Sequence, residues 1–383
     1  METMAEWYGL KEGHKDFFIE NDSDAELMFA RTQLNEQLQS ILRKSFRTGN
    51  PPKFVLYGDW GVGKTHTMRH IEYVVETNSD FKAQIVFVEL PDITSKASFQ
   101  VAHAALLDSL GLERAKLWMV QFQTRHQSET QELIHRQTQS GDIARAFLML
   151  PGYGETARTS WDWLRGVSLS STEARNAGLP VLLDQSNQLV NVLRMLGRLS
   201  TEIDDKQLIF MLDEATKLVN VTAGDSINHW LNAFKILSDN LTKEVGFIIS
   251  ASFRETDDMP NMLADPQVMT RFGESHYIQL LNFGEEETGE FLRELLVNWV
   301  DSTKRGQLIS DFNGEADGEA ISEHSFPFTE DALGRFIEFA CRNGGIATAR
   351  DIQKSLDDVL NRAIDDNRHI LSSTYFESMM AAV

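Results

Sequence analysis

The stretch Phe54-Val-Leu-Tyr-Gly-Asp-Trp-Gly-Val-Gly-Lys-Thr65 constrains this chain more than any other part of it. The apolar run Phe54 to Tyr57 reads as a buried strand, and Gly58 to Thr65 then fill every fixed position of the pattern G-x-x-x-x-G-K-[ST]. Glycines in such a loop let successive backbone N–H groups turn inward round a polyphosphate, and the following helix adds its positive N-terminal end. That helix is visible in His66 to Val75, whose apolar residues recur at helical spacing. Strand, loop and helix in this order predict a nucleotide site. In it Gly58, Asp59, Trp60, Gly61, Val62, Gly63, Lys64, Thr65 and His66 would surround the phosphates, Lys64 would supply a point charge, and the Thr65 hydroxyl would face Mg²⁺.

A length of 383 residues allows about two or three structural units and a core that needs no staples. The single cysteine, Cys341, excludes an internal disulfide framework and suits a reducing compartment, where it reads as a small core residue. No apolar run is long enough to cross a bilayer and the N-terminus is acidic, so a soluble, cytoplasmic protein is expected. A formal charge of −21 disfavours general attraction to nucleic acid or to anionic membrane.

Residues 1–48 form an N-terminal segment in which Asp22 to Leu42 predicts a leading helix, closed off by Gly49-Asn-Pro-Pro52. Ahead of it, Trp7-Tyr-Gly-Leu10 and Phe17-Phe-Ile19 either wall a base pocket or tuck the N-terminus onto the core. Residues 49–281 read as an α/β nucleotide-binding core, with further strands at Ala83 to Leu90, Leu208 to Asp213, Val245 to Ser252 and His276 to Leu281. Between the second and third strands, residues 112–206 predict a largely helical insert. Over 111–200 it carries ten Lys and Arg against eight Asp and Glu. Arg125, Arg136, Arg145, Arg158, Arg165 and Arg175 alternate there with Trp118, Phe122, Trp161 and Trp163, a pattern that serves either as a nucleic-acid surface or as core plus a solvated face. Residues 282–383 predict a helical lid, interrupted by the Gly- and acid-rich Asp311 to Glu319, which reads as a mobile surface segment.

The third strand ends in Asp213-Glu214, and an acidic pair at the carboxyl end of a strand suits the second half of a hydrolytic site. Asp213 would hold Mg²⁺ and Glu214 would orient or deprotonate the attacking water. Ser250 or Ser252, at the tip of the fourth strand, is placed to reach the γ-phosphate or that water. Arg271 reads as lying in a loop from which its guanidinium projects.

In this order the leading helix, phosphate loop, Asp-Glu strand, polar-tipped strand, arginine segment and helical lid resemble the AAA+ ATPase family over nearly the whole chain. The resemblance implies an α/β fold, a P-loop parallel sheet flanked by helices, with a large helical insert and a C-terminal helical lid. It makes Gly58 to Thr65 the Walker A loop, Asp213 and Glu214 Walker B, and Ser250 or Ser252 sensor 1. Arg271, with Arg254 as competitor, would be the finger that completes a neighbouring subunit's site. Arg350, ending Gly344-Gly-Ile-Ala-Thr-Ala-Arg350, would contact the γ-phosphate from the lid. The resemblance is to the initiator clade, which includes transposition regulators, and Trp163-Leu-Arg-Gly166 through Ala177-Gly-Leu-Pro180, Asp184 and Leu193-Arg-Met-Leu196 are similar to origin-recognition-like ATP-binding proteins of phage-exclusion (BREX) systems. It further implies ATP and Mg²⁺ as cofactors, a homo-oligomeric ring or filament, DNA contacted through the insert or ring interior, and protein partners from the same operon. It departs from that clade after Ala363, where 20 residues are too few for a winged-helix domain.

Overall fold

The computed structural model describes residues 3–19, 23–239, 243–253, 258–273, 276–342 and 346–381. Asp22, Arg254, Gly344 and Gly345 lie outside the described residues. The chain folds as two compact units, one made of Met1–Glu36, Asp59–His70 and Leu280–Val383, the other of Gln37–Gly58 and Ile71–Gln279.

The second unit carries a five-stranded sheet in the order β2-β3-β4-β1-β5. Its strands are β1 (Lys53–Gly58), β2 (Ala83–Glu89), β3 (Gln207–Asp213), β4 (Val245–Ser252) and β5 (Tyr277–Leu280). The pairs β1–β4, β3–β4 and β2–β3 are parallel. These strands are continuous apolar runs because helices cover both faces of a parallel sheet and leave no wet side. Parallel register brings the carboxyl ends to one edge. Glu89 sits opposite Asp213, Leu212 opposite Ile249, and Gly58 opposite Ser252, so the start of the phosphate loop and the acidic pair leave the sheet on the same side.

The insert is helical, as its spacing predicts, with helices at Leu112–His126, Thr130–Thr138, Gly141–Met149, Glu155–Leu164, Ser171–Ala177 and Ser186–Asp204. The aromatic residues that alternate with its arginines, Trp118, Phe122, Trp161 and Trp163, are all buried core, whereas Tyr153 is exposed with the Lys116 ammonium 5.5 Å from its ring centre. Several of its arginines are occupied internally. Arg125 and Arg145 donate to the carbonyls of Glu202 and Gly178, Arg136 pairs with Glu132 at 2.7 Å, and Arg165 bridges Asp108 and Asp162 at 2.6 and 2.9 Å. Arg125, Arg136, Arg145, Arg158 and Arg175 are nonetheless all exposed.

In the first unit the N-terminal segment joins the C-terminal helices in one core. Tyr8, Leu10 and Phe17 are buried there with Trp299, Phe328, Phe336 and Leu360, so these apolar patches fasten the N-terminus. The Trp7 indole donates to the Arg368 carbonyl at 3.0 Å. The leading helix runs from Thr32 to Thr48, ten residues later than its cap-like start suggests; the Asp and Ser signals near residue 23 belong to turns, and Ala30 takes a left-handed φ of 48°. A short helix, Met4–Tyr8, closed by a Thr3–Glu6 capping box, is too brief to show a period.

The segment 311–319 is not the mobile loop its composition predicts. A helix covers Ser302–Phe312, a single 3₁₀ turn covers Asn313–Ala316, and the acidic side chains act as acceptors for neighbouring backbone. Glu315 accepts from the N–H groups of His369 and Ile370 at 2.8 and 3.0 Å, Asp317 accepts from the Ser372 hydroxyl at 2.6 Å, and Glu319 accepts from the Ser373 N–H at 3.0 Å. Carboxylates whose lone pairs are filled this way order a chain that composition alone reads as loose.

Candidate nucleotide site

The phosphate loop turns because its glycines adopt backbone angles closed to other residues: Gly61 has φ +83° and Gly63 φ +95°. Lys64 starts the helix Lys64–Thr77; its side chain is buried and its ammonium donates to the Asp59 carbonyl at 2.8 Å, so the charge is held over the loop. The Asp59 carboxylate accepts from the Trp60 N–H at 2.8 Å. Trp60 itself is 55% exposed, and the Arg350 guanidinium lies 5.8 Å from its ring centre.

Arg350 opens the lid helix Ala349–Asp365, whose first turn is capped by Thr348 accepting from the Asp351 N–H. The Arg350 N–H donates to the Gly61 carbonyl at 3.3 Å. A Cβ on Gly61 would stand 3.0 Å from Arg350 Cβ and from Thr348 Oγ1, so this glycine is what lets the lid helix rest on the loop. The loop and Arg350, far apart in sequence, are therefore brought together.

Two histidines clasp the N-terminal segment to the first turns of the loop helix. His66 Nε2 lies 2.7 Å from the Leu27 carbonyl and His70 Nδ1 lies 2.8 Å from that of Ala25; burial holds both below the ordinary histidine pKa. The His66 side chain thus faces the N-terminal segment, leaving its backbone as the part that faces the loop.

Arg31, which no sequence signal singles out, ties three segments together. Its guanidinium donates to the Val62 carbonyl at 3.0 Å and the Leu281 carbonyl at 2.8 Å and lies 4.4 Å over the Phe283 ring. Burial pulls its pKa down to about 10. An arginine just ahead of a polar helix reads as a solvated charge, and only its carbonyl partners reveal otherwise.

On the sheet edge, Asp213 is 3% exposed. Its Oδ1 accepts from the Ser250 hydroxyl and, at 2.9 Å, from the Glu214 N–H. Of the two serines, then, Ser250 is the one that reaches the acidic pair. The Ser252 N–H donates instead to the hydroxyl of Thr216, a residue the sequence does not flag, which stitches the end of β4 to the turn after Glu214. Glu214 is half-buried and takes a left-handed backbone, φ 58° and ψ 30°, which aims its side chain away from the strand direction at a cost of about 1 kcal/mol. Arg271 departs from expectation: it lies in the last turn of the helix Pro266–Phe272, half-buried, donating to the Lys235 carbonyl at 3.3 Å.

These groups fit the cofactors the motif implies. A loop of left-handed glycines followed by a helix N-terminus suits a polyphosphate, and the buried Asp213 carboxylate is a hard oxygen donor of the kind Mg²⁺ takes. Among the described residues no cluster of three or more His, Cys, Asp or Glu could hold a metal by itself.

The described residues form a parallel α/β sheet unit and a largely helical unit, with a glycine-rich loop of the phosphate-binding pattern. No protein-family model and no curated protein matches the sequence. Among solved structures the chain is similar to the ORC2 protein of Aeropyrum pernix in ADPNP–ADP complexes, at 14% identity and a TM-score of 0.51, over 93% of this chain and 69% of that one. It is also similar to Cdc6p of Pyrobaculum aerophilum, at 14% identity and a TM-score of 0.49 over 91% and 67%. Its fold is accordingly that of the Aeropyrum pernix ORC2 protein. Among the described residues no helix is long and apolar enough to cross a membrane.

Proposed function

We propose that the chain binds and hydrolyses ATP and works as a molecular switch in assemblies of several copies, associated with DNA. The observation that carries this reading is the seat of Arg350 and Thr348 on Gly61: a lid helix resting on a phosphate loop is a lid that responds to what the loop holds. In the reading, the loop N–H groups and Lys64 bind the phosphates, Thr65 and Asp213 hold Mg²⁺, and Mg²⁺ neutralises phosphate charge. Ser250 orients Asp213, Glu214 takes the proton of the attacking water, and Arg350 meets the γ-phosphate. Arg271 of one copy would complete the site of the next. This requires its bond to the Lys235 carbonyl to open, and Arg271→Ala is expected to lower turnover only in the assembled state.

The test pairs binding with turnover. Lys64→Ala should abolish nucleotide binding measured with a fluorescent ATP analogue. Glu214→Gln should retain binding and lose phosphate release by at least about a hundredfold. A Glu214→Gln protein that hydrolyses at the wild-type rate would sink the assignment.

A second reading, a nucleotide-dependent scaffold that acts on partner proteins without touching DNA, is favoured by the buried tryptophans of the insert and by the net charge of −21. Replacing the exposed Arg125, Arg136, Arg145, Arg158 and Arg175 together decides between them: unchanged DNA binding, or none in either protein, supports the scaffold. The sequence resemblance to phage-exclusion proteins supports a further reading, that the switch acts in defence or mobile-element biology, and loss of plaque reduction in a Glu214→Gln strain would be its readout.

A further inference from the structure

In the sheet-bearing unit, the second half of the leading helix presents two faces to different surroundings. Leu38 and Leu42 are buried, and Phe46 stacks on Phe81 at 4.9 Å. On the other face, Gln37, Ser40, Lys44 and Ser45 recur at helical spacing and line a cavity of about 700 Å³, which Asn50, Lys53 and His276 help to close. That volume is in the range of pockets that hold small organic ligands.

The charge of this lining sets it apart from the rest of the molecule. It contains Lys44, Lys53 and His276 and, among the described residues, no aspartate or glutamate, in a chain with 57 Asp and Glu against 36 Lys and Arg. The Lys53 side chain is buried, and its ammonium donates to the Asp239 carbonyl. Burial, and then the charge of Lys44, hold His276 below its ordinary pKa. Lys53 already feels the Asp239 and Glu244 carboxylates, whereas Lys44 and His276 repel each other until an anion enters, which favours their charged forms. The Ser40 and Ser45 hydroxyls and the Gln37 and Asn50 amides add donors for an anion with several oxygens. The cavity lies at the Lys53 end of β1, and Gly58, where the phosphate loop begins, is at the other end, about 17 Å along the strand.

We propose that this cavity is a second anion site that takes a phosphate-bearing ligand, with Lys44, Lys53 and His276 meeting its charge and Ser40, Ser45 and Asn50 its oxygens. The proposal is independent of the ATPase reading. Its test uses the full chain with Lys64→Ala as background, so that the phosphate loop contributes little. Pyrophosphate titrated by calorimetry should bind, and adding Lys44→Glu or, separately, Ser40→Asp should weaken binding by about tenfold or more. Both positions are exposed, and the two replacements keep the result readable where one of them disturbs the helix. A short single-stranded oligonucleotide titrated in parallel separates the sources. Pyrophosphate alone binding assigns a free phosphorylated ligand; both binding, with the same losses in the variants, assigns a nucleic-acid backbone. No pyrophosphate binding in the Lys64→Ala background, or binding that neither replacement weakens, overturns the proposal.

Discussion

Gly61 occupies a variable position of the phosphate-loop pattern, yet its φ of +83° and the 3.0 Å approach of Thr348 and Arg350 leave no room for a side chain. Gly61→Ala should cost about 1 kcal/mol in backbone strain alone and lift the lid helix from the loop. Nucleotide affinity is then expected to fall about tenfold, measured by titration of the fluorescent analogue. Ser250→Ala should behave differently: Asp213 loses a donor that orients it, so turnover falls about tenfold or more while nucleotide affinity changes little. His103 offers a test by pH. It is wholly buried, with Nε2 2.7 Å from the Leu164 carbonyl, and burial depresses its pKa from 6.5 to about 4. Protonation thus favours the unfolded chain, and stability is lost as pH falls from 6.5 towards 4, by roughly 3 kcal/mol over the window. His103→Gln should flatten that part of a melting-temperature profile. At this scale the sequence reveals residues whose chemistry follows a pattern, such as Lys64, Asp213 and Arg350. It hides Arg31 and Thr216, whose roles come from carbonyl and N–H partners brought close only by folding.

Among the elements, the strands of the sheet are the most legible, because a run buried on both faces needs no partner to be recognised. Helix starts are less so: Ser23 and Asp24 lie in a turn, and the leading helix waits until Thr32. The insert shows why alternation of arginine and tryptophan is ambiguous. A helix with one buried face places both types at short intervals, and here the Trp118 indole lies inside and donates to Asp204 at 2.7 Å. Packing of the helix Ser186–Asp204 against the chain entering β4 depends on Gly197, where a Cβ would stand 2.2 Å from the Glu244 carbonyl. Gly197→Ala should therefore destabilise the sheet-bearing unit by about 2 kcal/mol, read as a lower midpoint in urea with unchanged slope. An unchanged midpoint would show that the helix is free to shift.

For the whole molecule, the division into units is the part least readable in advance, because neither unit is a continuous stretch. Compositional breaks such as Gly49-Asn-Pro-Pro52 mark turns between elements, and these need not coincide with the seams of packing. Residues 3–19 contribute Tyr8, Leu10 and Phe17 to a core built mostly from residues after 282, and deleting them should lower the melting temperature of the C-terminal helices, followed by hydrogen exchange. The chain passes from one unit to the other four times, at 36–37, 58–59, 70–71 and 279–280. Two of those passages bracket the phosphate loop. No single contiguous gene fragment therefore encodes either body, so a dissection by truncation would yield two incomplete proteins. A truncated clone that failed to bind nucleotide would report on missing threads as much as on missing chemistry, and for this fold point substitutions are the cleaner scalpel.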